Sequence, residues 1–210
     1  MKILITAGSS WTKIDDIRIL ASIFTGKTGL YLAKRFEKKG DSVTLIINTH
    51  CIGNVCGNFN LVRFRYFEEL KENLSRQLKK NMYDAIIHTA AVNDYKLEKI
   101  FRGKISSCKK KLILRLIPTE KLIKLIRKLA PKSTLIQFKL EVTKDGLIDK
   151  AYKSLKDNKS DFVVANALED LKRKYKAFFI DKDRNAITVF SKKQLFDLIY
   201  KTIHNFNDLV

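Results

Sequence analysis

Five short apolar runs recur along the chain, and longer segments with interspersed polar residues separate them. A short run of consecutive apolar residues indicates a strand that is buried on both faces, as in a parallel sheet. The pattern therefore predicts a parallel sheet built from the strands Lys2–Ala7, Val43–Ile47, Asp84–His88, Thr134–Phe138 and Asp161–Ala165.

The segments between these runs place apolar residues at helical spacing. An alternation of strands and helices implies right-handed crossover connections, with helices covering both faces of the sheet. We predict helices that open near Leu30 and near Thr119, the second ended by Pro131, and helices over Glu68–Leu78, Asp145–Asn158 and Lys192–Phe206.

Three further strands are predicted in the second half of the chain. Leu112–Leu116 has an alternating pattern, and the runs Ala177–Ile180 and Ala186–Phe190 flank a turn-forming segment at 183–185. No linker, repeat or low-complexity tract divides the chain. The predicted fold is one α/β domain over residues 1–210, Rossmann-like, with three layers, a doubly wound and mainly parallel sheet, and a C-terminal β-hairpin.

The chain is strongly basic, with a formal net charge of +20 and a pI near 9.9. Lysine is spread along the whole length, and Lys109-Lys110-Lys111 is the tightest cationic run. Aromatic residues are not interleaved with it, as they are in proteins that bind single-stranded nucleic acid. We interpret the charge as solvated surface that attracts anionic substrates. Nucleic-acid binding is the less favoured alternative.

The cysteines, the histidines and the apolar runs indicate in which compartment the protein lies and which chemistry it can carry out. The cysteines have no metal-ligand spacing, and free cytosolic thiols are expected at Cys51, Cys56 and Cys108. Structural roles are expected for His50, His88 and His204. The N-terminus is too weakly apolar for a signal peptide, and no run is long enough for a membrane span. We therefore expect a cytoplasmic protein without a membrane segment.

Two glycine-bearing turns lie in the first 29 residues. Gly8-Ser9-Ser10 follows the first strand, and Thr25-Gly26-Lys27-Thr28-Gly29 precedes the first helix. Small residues let backbone N–H groups approach a ligand, and a helix N-terminus favours an anion. Two such turns in one unit suggest a polyphosphate site, although a single glycine-rich turn also occurs in α/β domains that bind no ligand.

A second group of candidate residues follows the third strand. The sequence Thr89-Ala90-Ala91-Val92-Asn93-Asp94-Tyr95 places small residues and a carboxylate where ligands sit in open α/β sheets, beyond the carboxyl ends of the strands. An ordinary turn with an Asp cap is the alternative. The basic segment 96–111 that comes next is typical of a mobile loop over a site or of a plain connector.

These motifs together resemble phosphopantothenoylcysteine synthetase, a ligase of coenzyme A biosynthesis. The segment TAGSSWTKIDDIRILASIFTGKTG matches its opening pattern of SGGT, IDxVR and NxSSGxxG, and AAVNDY matches its AAVxDY or AAVxDF motif. The strings FKLE, AYKSL and DFVVAN are similar to its single-function forms. The resemblance covers nearly the whole chain. It implies a ligase that joins 4′-phosphopantothenate and L-cysteine through an acyl-nucleotide.

The resemblance also implies roles for individual residues. It assigns substrate contacts to Ala90, Ala91 and Asp94, and to Arg18 reaching over from a neighbouring subunit, which implies a homodimer. It assigns catalytic roles to Ser22, to Lys104 in a flap over about residues 96–111, and to Lys153. Small-molecule substrates, CTP or ATP as co-substrate and Mg²⁺ are implied, with no protein metal ligand identified. The implied nucleotide contacts are Gly8, Ser9, Ser10, Phe24, Thr25, Gly26, Gly29, Phe138, Lys139 and Asn166.

Three positions depart from the family pattern. Ser9 replaces its second glycine, Ser22 its asparagine, and Phe24 the first serine of its second turn. In the family that asparagine contacts the acyl intermediate, and a serine is shorter by an amide group. We therefore expect the first half reaction to survive better than the attack by cysteine. A homologue that binds nucleotide without ligating stays open as an alternative.

A competing pattern overlaps the acidic loop. Tyr95 and Lys99 have the Y-x-x-x-K spacing of short-chain dehydrogenases, which bind NAD(P). That pair requires a helix and an N-terminal GxxxGxG turn. The chain has no glycine between Gly8 and Gly26, so the dehydrogenase is an alternative with less support.

Overall fold

The computed structural model describes residues 1–108, 110–173 and 175–206. Lys109 of the predicted flap and residues 207–210 of the predicted domain lie outside this description. The strands in chain order are β1 Lys2–Ala7, β2 Trp11–Lys13, β3 Ile19–Ala21, β4 Ser42–Ile47, β5 Asn60–Arg63, β6 Ala85–His88, β7 Tyr95–Leu97, β8 Leu116–Pro118, β9 Thr134–Glu141, β10 Phe162–Ala167, β11 Ala177–Ile180 and β12 Ala186–Val189.

Eight of these strands form one sheet in the order β12-β11-β10-β9-β6-β1-β4-β5. The six strands from β10 to β5 run parallel, and the β11–β12 hairpin is antiparallel. The chain winds outward from β1 to β5 and then returns to β6 on the other side of β1. This topology confirms the predicted doubly wound, mainly parallel sheet with a C-terminal hairpin.

Helices cover both faces of the sheet and complete the three layers. Side chains alternate along each strand, so Ile3 and Ile5 pack on one face while Leu4 packs on the other. The first face carries α1 and α6, and the second carries α2, α3 and α4. The helices are α1 Lys27–Lys38, α2 Phe67–Lys80, α3 Leu122–Leu129, α4 Leu147–Asn158, α5 Leu168–Arg173 and α6 Lys192–Phe206, and Thr49–Cys51 forms a short 3₁₀-helix.

Two small antiparallel hairpins, β2–β3 and β7–β8, stand outside the main sheet. The hydroxyl of Thr12 in β2 donates to the carbonyl of Tyr95 in β7 (3.2 Å), so the hairpins lie side by side. The predicted strand Leu112–Leu116 is wrong, because regular pairing begins only at Leu116 and continues to Pro118. Backbone pairing with β7 fixes these bounds, and the local alternation does not reveal it.

Some other predicted bounds also change. The helix expected to open at Thr119 begins at Leu122. Thr119 is held instead by the acidic loop, because its hydroxyl donates to the carbonyl of Asn93 (2.7 Å) and its N–H to that of Asp94 (2.9 Å). The edge strand β5 and the short helix α5 were not predicted, since both are short and lack a continuous apolar run.

Candidate functional site

A cleft opens at the carboxyl edge of the sheet, where the direction of winding reverses between β1 and β6. Two adjoining cavities of about 650 and 250 Å³ occupy it. The two cavities share part of their walls, because Ala90, Ala91, Phe138, Lys139 and Leu140 line both of them. The segment that leads into α1, the loop after β6 and the carboxyl ends of β9 and β10 therefore meet at one composite site.

The smaller cavity lies against the N-terminus of α1. Phe24, Thr25 and Gly26 line it on one side and Asn166 on the other. Gly26 caps the helix with φ 86°, no side chain caps the first turn, and that turn holds no acidic residue. Unpaired N–H groups at a helix N-terminus carry partial positive charge. This wall suits an anionic group.

The cationic character of this end of α1 is reinforced by a second helix. Lys192 lies at the start of α6. Burial and the nearby charge of Lys27 both lower the pKa of Lys192. Two ammonium groups that repel each other beside an uncapped helix terminus would both gain from a bound phosphate.

The first predicted turn has an internal role that the sequence did not reveal. Ser9 and Ser10 are fully buried. The N–H of Ser10 donates to the carbonyl of Ala91 (3.1 Å), and its hydroxyl accepts the N–H of Asn93 (2.9 Å). The N–H and the hydroxyl of Ser10 therefore join the loop after β1 to the loop after β6, and the nucleotide contacts implied for Ser9 and Ser10 stay predictions.

Gly8 and Gly26 lie against each other, which holds the two turns together. A Cβ atom on Gly26 would lie 2.5 Å from the backbone nitrogen of Gly8. Gly29 lies inside the first turn of α1, and a Cβ there would lie 2.6 Å from both the Ala7 Cβ and the Thr89 Oγ1. Gly29 is buried and packs the helix onto the sheet, and its nucleotide contact stays a prediction.

The larger cavity is lined by ionic side chains. Asp94 pairs with Lys121 at 2.6 Å, and Glu141 accepts from Lys139 at 3.0 Å and from Lys150 at 3.3 Å. The bond from Lys139 is the main reason that the pKa of Glu141 lies below its usual value, although burial opposes it.

Lys153 also lines this cavity, and it makes no ion pair with any residue that the structure describes. Its ammonium group is therefore available to an anionic ligand, whereas Lys139 must leave Glu141 to bind one.

The acidic loop after β6 uses two of its backbone N–H groups for hydrogen bonds within the protein. The N–H of Ala90 donates to the hydroxyl of Thr6 (3.3 Å), and the N–H of Ala91 donates to the carbonyl of Gly8 (3.0 Å). Both small residues line the two cavities. Their backbone N–H groups are used within the fold, so other groups must donate to a ligand at this wall.

Besides Gly8, Ser9, Ser10 and Gly29, three more of the predicted residues line neither cavity of their own chain. Arg18 pairs with Asp15, and its guanidinium donates to the carbonyl of Ile105 (3.3 Å). Lys104 is exposed on the flap. Ser22 follows β3, and its hydroxyl is buried without a hydrogen bond to any described residue.

The flap is docked on the loop that joins β2 to β3. The N–H of Ile105 donates to the Asp15 carboxylate (3.0 Å), and the N–H of Gly103 donates to Asp16 (2.8 Å). Burial alone would raise the pKa of Asp15. Backbone hydrogen bonds from Ile105, Ile17 and Arg18 outweigh it and hold that pKa well below its usual value. Asp15 thus couples the flap to the loop that carries Arg18.

His88 and Tyr175 are among the cavity residues that were not identified as site residues in the sequence. His88 lines the larger cavity at the end of β6, and Tyr175 lines the smaller one beside Asn166. Burial raises the pKa of Tyr175 to about 12, and its hydroxyl makes no regular hydrogen bond with the described residues. The position of His88 at a strand end was a usable signal, whereas no pattern marked Tyr175.

The dehydrogenase alternative loses its structural basis. Tyr95 begins the strand β7, and Lys99 lies beyond the end of that strand, so the pair is not on a helix. Residues four apart are neighbours about 6 Å apart on a helix, whereas extended backbone separates them by roughly 13 Å. The required Tyr–Lys contact is absent from this part of the described chain.

Within the described ranges, no helix is long and apolar enough to cross a membrane. Cys56 and Cys108 are free and exposed, as predicted. Among the same residues, no three or more His, Cys, Asp or Glu side chains are grouped so that they could hold a metal ion.

Comparison with known proteins gives consistent matches. The family model described as the DNA/pantothenate metabolism flavoprotein C-terminal domain matches residues 1–205. The coenzyme A biosynthesis bifunctional protein CoaBC of Thermococcus kodakarensis is 34% identical over 170 residues, which are 80% of this chain and 41% of that protein. The CoaBC protein of Borreliella burgdorferi is 35% identical over 184 residues, 86% of this chain and 46% of that protein.

The chain thus spans less than half the length of these two curated relatives. Among solved structures, the DNA/pantothenate metabolism flavoprotein from Streptococcus pneumoniae superposes with a TM-score of 0.87 at 28% identity, covering 98% of this chain and 99% of that one.

Proposed function

Because the chain belongs to the DNA/pantothenate metabolism flavoprotein C-terminal domain family, we propose that it is a ligase of coenzyme A biosynthesis. It joins 4′-phosphopantothenate to L-cysteine through an acyl-nucleotide formed from CTP or ATP. The observation that carries this proposal is the composite cleft. The uncapped N-terminus of α1 and the acidic loop after β6 open onto adjoining cavities at the same edge of the sheet.

The nucleotide occupies the smaller cavity in this proposal. Phe24, Phe138 and Asn166 surround its base, while Thr25 and Gly26 direct the first turn of α1 toward its phosphates. Lys153 of the adjoining cavity stabilises the negative charge that accumulates on the phosphates during transfer.

The acid substrate lies along Ala90, Ala91 and Asp94 at the wall that the two cavities share. Its carboxylate oxygen attacks the α-phosphorus of the nucleotide, and the bond to pyrophosphate breaks. The amine of cysteine then attacks the acyl carbonyl, loses a proton, and releases the nucleoside monophosphate as the amide forms. Positioning two anions side by side requires compensating positive charge.

Mg²⁺, when bound, would offset the charge of the triphosphate. Magnesium is commonly held by substrate phosphates with only one or two carboxylates. The scattered acidic residues of this cleft fit that mode. Asp157 lines the larger cavity without an ion pair to a described residue, and it is the carboxylate available to such an ion.

A homodimer completes the site in this proposal. The paired β2–β3 and β7–β8 hairpins expose apolar side chains, among them Ile17, Leu20, Ile113 and Leu116, each more than a third exposed. Arg18 lies on the same hairpin loop but outside its own chain's cavities. A second copy that packs on this surface would bury the apolar residues and receive Arg18 as a contact for its substrate phosphate.

The dimer is tested by mixing two inactive variants. Arg18→Ala and Lys153→Ala are each expected to have little activity, but mixed dimers contain one site with both native residues. Recovery of activity after mixing, together with a dimer mass in analytical ultracentrifugation, is expected. Two full-length variants that fold but never complement each other would contradict the shared site.

The reaction itself is tested by incubating the pure protein with 4′-phosphopantothenate, L-cysteine, Mg²⁺ and either CTP or ATP. We expect pyrophosphate and 4′-phosphopantothenoylcysteine, identified by mass. Acyl-nucleotide without amide product would indicate that only the first half reaction operates. No pyrophosphate with either nucleotide would exclude the ligase and favour the nucleotide-binding homologue. Affinity for nucleic acid that collapses with salt would favour the nucleic-acid alternative.

Ser22 is the proposed weak point of the second half reaction. Its hydroxyl needs a bridging water to reach as far as the family asparagine does. A Ser22→Asn variant is expected to accelerate the attack by cysteine while leaving pyrophosphate release unchanged. An unchanged or slower overall turnover would refute this role of Ser22. The flap residue Lys104 is proposed to approach the substrate only when the flap leaves its docked position.

The proposed compartment is the cytoplasm. Two exposed cysteines are unpaired, and exposed free thiols are typical of a reducing compartment. Expression of a tagged protein followed by fractionation tests this placement.

A further inference from the structure

His88 ends strand β6 at the floor of the larger cavity. In the sheet it pairs with Thr6 of β1 on one side and with Gln137 of β9 on the other. It is 9% exposed, and the exposed part lines the cavity beside Ala90 and Gln137. The ring therefore lies in the wall that a ligand would contact.

The hydrogen bonds of Thr6 fix the tautomer of the His88 ring. The Oγ1 atom of Thr6 lies 2.7 Å from Nδ1 of His88 and accepts the N–H of Ala90 at 3.3 Å. The proton of the hydroxyl needs an acceptor, and Nδ1 is the acceptor within reach among the described residues. Thr6 therefore donates to Nδ1, and the neutral ring carries its proton on Nε2.

The Nε2–H group has no acceptor among the residues that the structure describes. Burial lowers the pKa of His88 to about 4, so the ring is neutral at pH 7. The ring keeps some exposure toward the cavity, where the oxygen of a ligand can serve as the acceptor of this group. The nearby charged groups that line this cavity include Asp94, Lys121, Lys139 and Lys153.

The adjoining backbone strengthens the need for such a donor. The N–H groups of Ala90 and Ala91 bond within the protein, to Thr6 and Gly8. An acid placed against these two residues would find no backbone donor from them. The Nε2–H group of His88 lines the same wall.

We propose that His88 binds the acid substrate, its Nε2–H donating a neutral hydrogen bond to an anionic oxygen of 4′-phosphopantothenate. This role rests on the proposed function and deepens it. A neutral donor orients the oxygen without adding a positive charge that would weaken its attack on phosphorus. Thr6 acts as a positioning residue, because it holds the ring in the donating tautomer.

The first experiment observes the ring directly. Nitrogen-detected NMR of the imidazole at pH 7 is expected to show Nε2 protonated and Nδ1 bare. Titration with 4′-phosphopantothenate should move the Nε2–H resonance. 4′-Phosphopantetheine, which lacks the carboxylate, is the second ligand: a shift with both assigns the phosphate, and a shift only with the acid assigns the carboxylate. A ring protonated on Nδ1, or a resonance that moves with neither ligand, overturns the proposal.

The second experiment uses two variants that separate the ring nitrogens. His88→Gln can place an amide N–H near the position of Nε2, whereas His88→Asn is shorter and keeps its amide near Thr6. We expect the KM for 4′-phosphopantothenate in pyrophosphate release to rise about tenfold or more in His88→Asn and to stay within about threefold in His88→Gln. Thermal unfolding establishes that both variants are folded. Equal KM values in the two variants would overturn the role.

The two proposals fail in different ways. Wild-type protein that ligates while its Nε2–H resonance ignores both ligands refutes the role of His88 alone. If the resonance shifts but the protein releases no pyrophosphate, the ligase is refuted and the role of His88 in binding is retained.

Discussion

The close approach of Gly8 and Gly26 can be tested by one methyl group. Gly26 has φ +86°, and a Cβ atom there would lie 2.5 Å from the Gly8 nitrogen and 2.8 Å from its Cα. Both obstacles are backbone atoms, so no side chain can swing away. Gly40 is the matched control, because its φ of +89° is nearly the same and a Cβ there would meet nothing within 4 Å.

The two substitutions share one cost and differ in another. An L-residue in the left-handed region costs about 1–2 kcal/mol. In Gly40→Ala this cost alone should lower the free energy of unfolding. In Gly26→Ala the close contact should lower the free energy of unfolding by a further 1–3 kcal/mol or so, the usual range for overpacking. The free energy of unfolding should thus fall by about 1–2 kcal/mol in the control and about 2–5 kcal/mol in Gly26→Ala.

Urea unfolding measures both free energies, and nucleotide-dependent pyrophosphate release measures the consequence for the cleft. Gly40→Ala should keep the wild-type KM for nucleotide, whereas Gly26→Ala should raise it, because the turn must move away from β1. Equal destabilisation in the two variants would mean that the two turns do not touch. The proposed arrangement of the turns at the smaller cavity would then be refuted.

Three further predictions concern single side chains. The pKa of His88 falls from 6.5 to about 4 on folding, so the stability it contributes is present above about pH 6.5 and is lost as the pH falls toward 4. At about 1.4 kcal/mol per pKa unit, wild type should lose about 3 kcal/mol more than His88→Gln over this window, and a pH-independent difference would refute it. Tyr175→Phe removes a buried hydroxyl without a regular hydrogen bond, so unfolding should show unchanged or slightly greater stability while the KM for nucleotide rises severalfold. A clear loss of stability would reveal a partner for that hydroxyl within the protein. Asp15→Asn removes an acceptor of the Ile105 N–H, and hydrogen exchange at Ile105 should become faster while that at Leu45 in the central sheet is unchanged.

The sequence alone determined the framework of the fold. The runs at Lys2–Ala7 and Asp84–His88 are nearly continuous in apolar residues and do not alternate with polar ones. This pattern implies strands that are buried on both faces of a parallel sheet, before any contact is known. Its resemblance to a known ligase family also directed attention to the loops after β1 and β6. Both lie at the switch point where the cleft opens. These features follow from local pattern and from topology rules, which act on any chain of this type.

The tertiary structure decided which groups are free to act. Ser10 and Ala91 belong to suitable motifs, yet their polar groups bond to each other across the two loops. The hairpins outside the sheet depend on pairing between distant segments, which a three-residue strand does not encode locally. His88 looked structural because its neighbours in sequence offer no partner, and Thr6 lies 82 residues away. A hydrogen bond belongs to two atoms brought together by the whole fold, so the donors left over for a substrate can be identified only after every internal bond has been assigned.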